Sequence, residues 1–224
     1  MAELIVAFDL PSGREALALA ARLPGLRWAK LGPVLYTREG PAVVREFVAR
    51  GLRVFLDLKW HDIPSVVAEA VAAAAGQGVA MATVHTLGGP AMLAAAAAAA
   101  GNVALVGVTI LTSHDTAEVE HVLGRGVPDL GFEAERLARL AVTAGLRGVV
   151  ASGRELALLR AALGPELWIV VPGIREPADA TADQRRTVTA AEAVRLGATH
   201  LVVGRHLTRA ANPTAVYQRL VESI

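Results

Sequence analysis

The chain has 224 residues, 54% of them hydrophobic and 19% charged, with a net charge of +1. That balance supports a large core and argues against a disordered chain, and the interspersed charges, without a basic tail or stripe, give no reason to expect a nucleic-acid partner. Cysteine is absent, which excludes a disulfide framework and a thiolate metal site and fits a reducing, cytoplasmic location.

In chain order, eight short runs rich in Val, Ile and Leu recur: LIVAFDL from Leu4, RWAKLG from Arg27, RVFLDLK from Arg53, MATVHT from Met81, ALVGVTIL from Ala104, GVVAS from Gly148, WIVVPGI from Trp168 and HLVVGRHL from His200. They are mostly continuous rather than alternating, the pattern of parallel strands covered by helices. The first run is bounded by Glu3 and Asp9 and is too short for a signal peptide. Between the runs lie helix signals. Ser12 with Glu15, Ser152 with Glu155 and Thr189 with Glu192 have capping-box spacing. Ser65 after Pro64 opens another helix, residues 91–100 a further one, and Asn212 before Pro213 reads as an N-cap with proline at the first helical position. Gly164 and Gly197 read as C-terminal stops. The longest interval, residues 112–147, has room for an extra helix around Thr116 to Leu123.

Eight strands alternating with helices over this length predict a single (β/α)8 TIM barrel spanning 1–224. The alternative, a doubly wound open sheet, usually has five or six strands, and no GxGxxG follows the first run. Residues 70–114 contain no Asp, Glu, Lys or Arg, but glycines, Pro90 and Asn102 break the stretch and much of it is alanine, so no membrane span is expected. The helix near 91–100 therefore has no polar face. Two readings stay open for its outer side: a small alanine-covered surface, or burial against another subunit.

Only Lys30 and Lys59 are lysines among the 22 basic residues. Arginine stays protonated, whereas lysine is a compact charge able to give up a proton, so these two positions point to proton chemistry. In a barrel of this kind, active groups come from the C-terminal strand ends. Asp9 ends strand one, Lys30 strand two, and Asp57 and Lys59 strand three; Asp62 lies just beyond. Asp57 and Lys59 are two apart, so both face the barrel interior. A lone strand-end Asp is ordinarily a cap and a lone Lys ordinarily solvated. Two ammoniums and two carboxylates at one mouth instead make an alternating array, and a buried ion-pair network is a weak stabiliser. Thr112 follows strand five, and Pro172 and Gly173 end strand seven. Gly204 and Arg205, read within strand eight, and the long polar loop carrying Arg175 and Gln184 predict a phosphate site with a lid.

DLKWHDIPS, an Asp-x-Lys-x-x-Asp segment followed by Ile-Pro, resembles the orotidine 5′-phosphate decarboxylase family, the last enzymes of de novo UMP synthesis. The first-strand Asp, the second-strand Lys, LTS after strand five, PGIR…DQ…R after strand seven and VGR in strand eight fall in the family's order, so the resemblance spans essentially the whole chain. It implies decarboxylation of orotidine 5′-phosphate without cofactor or metal. Asp9 would hydrogen-bond the ribose, Lys30, Asp57 and Lys59 would form the charged array with Lys59 as proton donor, and Asp62 would reach the partner subunit's site in a homodimer. Ile63 and Ser65 join the substrate-binding set. Thr112 and Pro172 would line the pyrimidine pocket, and Arg175, Gln184, Gly204 and Arg205 would grip the phosphate or close the lid. Trp60 stands where the family usually has Phe, Leu or Tyr and should point away from the interior. Metal-dependent sugar-phosphate decarboxylases and aldolases look similar at this segment, but they carry an acidic ligand where Lys30 stands. A non-catalytic phosphate-binding barrel would not need Lys59 with both carboxylates.

Overall fold

The structure is a computed structural model describing residues 2–175 and 188–224. Among these, strands β1 (Glu3–Ala7), β2 (Trp28–Leu31), β3 (Arg53–Trp60), β4 (Met81–His85), β5 (Ala104–Val108), β6 (Gly148–Val150), β7 (Trp168–Val171) and β8 (His200–Val203) are all parallel and close into a barrel in sequence order. The helices are α1 (Gly13–Ala20), α2 (Pro33–Glu39), α3 (Pro41–Ala49), α4 (Pro64–Gly76), α5 (Gly89–Ala99), α6 (Thr116–Leu123), α7 (Leu130–Thr143), α8 (Leu156–Leu163), α9 (Ala190–Arg195), α10 (Arg205–Thr208) and α11 (Pro213–Glu222). The fold is the predicted (β/α)8 barrel, extra helix α6 included.

The caps explain most boundaries. Ser12, Thr189 and Asn212 accept the backbone N–H of Glu15, Glu192 and Ala215, each satisfying an orphan donor of the first turn. A complete capping box, Asp115 with Glu118, opens α6. The Ser152–Glu155 pair behaves differently from its reading as a helix start. Glu155 accepts the Ser152 N–H at 2.8 Å, but the helix begins only at Leu156, so the pair closes a turn ahead of α8. Ser65 likewise sits inside α4, whose first residue is Pro64 and whose N-cap is Ile63.

Two apolar layers position the site. Strand residues pointing outward, such as Val54, Leu56 and Val84, pack with Phe47, Val71 and Leu93 beneath the helices. The inward layer contains Ile5, Trp28, Phe55, Met81, Val106, Val170 and Val202. Below it, aromatic rings close the N-terminal end: His200 lies between Trp28 and Trp168, with ring centroids 5.4 and 4.5 Å away. Arg53 covers Trp28 at 4.2 Å from the ring centroid. Burial, assisted by the Arg53 charge, holds the His200 imidazole down at about 4, so this ring stays neutral near pH 7. With the floor filled, the inward positions nearer the C-terminal strand ends are the ones left to face an open cavity.

Helix α5 buries Met92, Leu93 and Ala96 and leaves Ala91, Ala94 and Ala98 exposed. Its outer surface is thus alanine methyls within one chain. Larger exposed apolar residues include Ile63, the N-cap of α4, Val66 in its first turn and Leu87 on the turn after β4; Val34, Val122, Phe132, Val142 and Val221 are exposed elsewhere. No helix of the described residues is long and apolar enough to cross a membrane.

Candidate active site

Strand β3 supplies the centre of the site. Phe55, Asp57 and Lys59 face inward while Leu56, Leu58 and Trp60 pack outward, as the two-residue spacing predicted. Lys59 Nζ donates to Asp57 Oδ1 at 2.9 Å. Lys30 Nζ, from β2, lies 3.4 Å from Asp57 Oδ2 and 3.3 Å from both oxygens of Asp9. The result is a continuous alternating chain, Asp9–Lys30–Asp57–Lys59. Asp57 and Lys30 are buried, whereas the Lys59 side chain keeps 34% exposure toward the open side. Burial alone would push the Asp57 carboxyl up. The charges of Lys30 and Lys59, with hydrogen bonds from Lys59 and Thr83, outweigh that and hold it below the ordinary carboxylate range. Gly32 makes room for the first link: a Cβ there would sit 2.6 Å from Asp9 Oδ1 and 3.0 Å from Lys30 Nζ.

The backbone carrying these groups is irregular in a way the spacing did not reveal. Leu56 pairs with Ala82 and Trp60 with Val84, so β3 bulges between these pairs. Lys59 has φ 51°, a left-handed conformation that no other described non-glycine residue adopts. For such a residue this costs about 1–2 kcal/mol. The surroundings must therefore hold it, and a strained residue at the cavity wall points to function rather than stability.

Two adjoining cavities open above the array. One, of about 190 Å³, is lined by Lys30, Asp57, Lys59, Thr112 and Pro172 on its polar and loop sides and by Phe55, Val108, Ile110, Val150, Val170 and Val202 on its apolar walls. The other, of about 330 Å³, is lined by Asp9, Lys30, Pro172, Gly173, Arg175, Gly204, Arg205, His206 and Arg209. Lys30, Pro172 and Val202 belong to both. An apolar-walled slot ending in charges thus adjoins a basic chamber, which suits a ring joined to an anionic group. The profile of the Orotidine 5′-phosphate decarboxylase / HUMPS family matches residues 2–220. The chain belongs to this family.

Among its relatives, the orotidine 5′-phosphate decarboxylase of Opitutus terrae is 47% identical over 99% of this chain and 98% of its own length. That of Alkalilimnicola ehrlichii is 49% identical over 97% of this chain and 94% of its own. The crystal structure of orotidine 5′-phosphate decarboxylase from Lactobacillus acidophilus superposes with a TM-score of 0.88 at 30% identity, covering 100% of this chain and 99% of that one.

The family residues read from the sequence fall into three groups. Asp9, Lys30, Asp57, Lys59, Thr112, Pro172, Arg175, Gly204 and Arg205 all line the two cavities. Strand β8 ends at Val203, however, so Gly204 and Arg205 follow the strand, contrary to the strand-eight reading: Gly204 is the N-cap of α10 and Arg205 its first residue. Asp62, Ile63 and Ser65 line neither cavity: all three are exposed, and Asp62 Oδ1 accepts the Ile63 N–H at 2.7 Å. Gln184 lies outside the described residues. Sequence reasoning did not find His206 and Arg209, which a short helix after Gly204 brings to the basic chamber, or Thr83, which touches the array from β4. Among the described residues no group of three or more His, Cys, Asp or Glu is arranged to hold a metal ion.

Proposed function

We propose that this chain converts orotidine 5′-phosphate to UMP, the closing step of de novo pyrimidine nucleotide synthesis, using no metal or cofactor. The observation that carries the reading is the Asp9–Lys30–Asp57–Lys59 chain at the end of an apolar slot that continues into an arginine-lined chamber. A buried ion-pair chain contributes little net stability, so a catalytic use explains it better than a structural one. Lys30, paired to two carboxylates, holds an ammonium where a metal site would need an acidic ligand.

The pyrimidine would lie in the slot against Thr112 and Pro172, with the ribose at Asp9 and the phosphate among Arg175 and Arg205. The bond from carbon 6 to the carboxylate breaks, its electron pair stays on carbon 6, and neutral CO2 leaves. The Lys59 ammonium attracts that pair as it develops and then transfers a proton to it; a proton from solvent converts the resulting amine back to the ammonium. Asp57 faces the departing carboxylate. Two like charges ~4 Å apart repel by about 4 kcal/mol at an effective dielectric of 20, and loss of CO2 relieves this. Lys30 keeps Asp57 charged and fixed. The direct test is incubation of purified protein with orotidine 5′-phosphate, followed by ultraviolet absorbance; unchanged absorbance would overturn the assignment.

The working unit in this reading is a homodimer in which Asp62 completes the partner's array. Asp62 is exposed and bonded to its own turn, beside the apolar rim of Ile63, Val66 and Leu87 that a second copy would cover. Lys59→Ala and Asp62→Ala chains should each be nearly inactive alone. Coexpressed, they form hybrids with one intact site, so activity should recover to about a quarter of wild type. No recovery would place Asp62 in its own chain's chemistry. The enzyme would act in the cytoplasm, and recovery in a membrane pellet would contradict that.

A further inference from the structure

We infer that Thr83 is a positioning residue for the charged array, its hydroxyl fixing Asp57 and the backbone of Lys59 at the same time. The inference rests on the reading of Asp57 and Lys59 given above. Thr83 lies in the middle of β4, fully buried, and lines neither cavity. Its Oγ1 donates to Asp57 Oδ1 at 3.0 Å and accepts the Lys59 N–H at 2.8 Å.

Both bonds follow from the bulge. Where β3 departs from the ladder, the Lys59 N–H is bonded to a side chain of β4 rather than to its backbone, and Thr83 provides that acceptor. The same oxygen turns its proton to Asp57. The Asp57 carboxylate is then held at both ends, Oδ1 by Thr83 and Lys59 and Oδ2 by Lys30. Lys59 is held through its backbone as well as its ammonium, which keeps a left-handed residue in place. A β-branched residue suits this task, because its stiff first torsion fixes the hydroxyl direction. Valine has the same shape but neither donates nor accepts.

The test compares wild type, Thr83→Val, Thr83→Ser and Lys59→Ala by steady-state turnover of orotidine 5′-phosphate, with melting temperatures measured alongside. Loss of the hydroxyl strands the Lys59 N–H and one carboxylate oxygen, so Thr83→Val should lower kcat by about 10- to 100-fold. KM should change by less than about threefold, because the substrate-lining surface is untouched, and Thr83→Ser should return kcat to within about threefold of wild type. If Thr83→Val folds poorly, Thr83→Ala reads the same loss without burying a new methyl against Asp57. The inference is overturned if Lys59→Ala is inert while the hydroxyl-free variants turn over at wild-type rate, or if Thr83→Ser is as slow as Thr83→Val. A fully active Lys59→Ala would instead strike down the reading of Lys59 on which the inference depends.

Discussion

Replacing Lys59 with arginine is expected to lower kcat by about 1000-fold or more while leaving KM within about tenfold of wild type. The substitution keeps a positive charge beside Asp57, so an electrostatic role alone would survive it in part. It removes what only the ammonium provides: a compact donor, 2.9 Å from Asp57, that can pass a proton to a carbanion. A guanidinium is also larger and planar, and the slot of about 190 Å³ has little room for it beside a pyrimidine. Lys59→Ala should be slower still. KM is expected to hold because the basic chamber that would bind phosphate does not include Lys59. Steady-state kinetics on the two variants, with the melting temperature as a folding control, check this; an arginine variant near the wild-type rate would remove Lys59 from the proton-transfer role.

Arg205→Ala should lower kcat/KM by about 1000-fold although the residue touches no reacting bond. Arg205 lines the basic chamber, and a guanidinium can fork two charge-assisted hydrogen bonds to a phosphate, each worth about 1.5–3 kcal/mol. Binding energy from a remote group is used to order the reacting end of a substrate, so the loss should appear in both kcat and KM. A control separates this role from general damage. Orotidine, which lacks the phosphate, should react slowly but at similar kcat/KM with wild type and Arg205→Ala. Equal losses with both substrates, or no loss with orotidine 5′-phosphate, would contradict the assignment.

How far the sequence carries the account depends on whether a feature is local. Continuous apolar runs and cap residues are local, and they located the strands and most helices of the barrel; α6 is legible only from the room left in the long interval 112–147. The two-residue spacing of Asp57 and Lys59 set both side chains on one face because strand alternation survives the bulge. The bulge itself, the left-handed Lys59 backbone and the bonds from Thr83 depend on the register of β3 against β4, which no stretch of residues encodes alone. The same holds for the floor. Trp28, Trp168 and His200 are far apart in sequence and meet only when the barrel closes. Boundaries failed where a side chain had two possible uses, as at Ser152 and Glu155, which spend their cap groups on a turn before α8. The alanine helix α5 shows the limit of composition as a guide: its exposed residues are small, and the larger apolar rim lies beside Asp62.

The central claim is that the lysine–aspartate array, without a metal, decarboxylates orotidine 5′-phosphate. It is tested most directly by giving EDTA-treated protein this substrate and following UMP and CO2 together, with Lys59→Ala in parallel. The account predicts one UMP and one CO2 per substrate consumed, an unchanged rate after EDTA, and no detectable product from Lys59→Ala. Activity lost on chelation and restored by a divalent cation, or product formed equally well by Lys59→Ala, would contradict it.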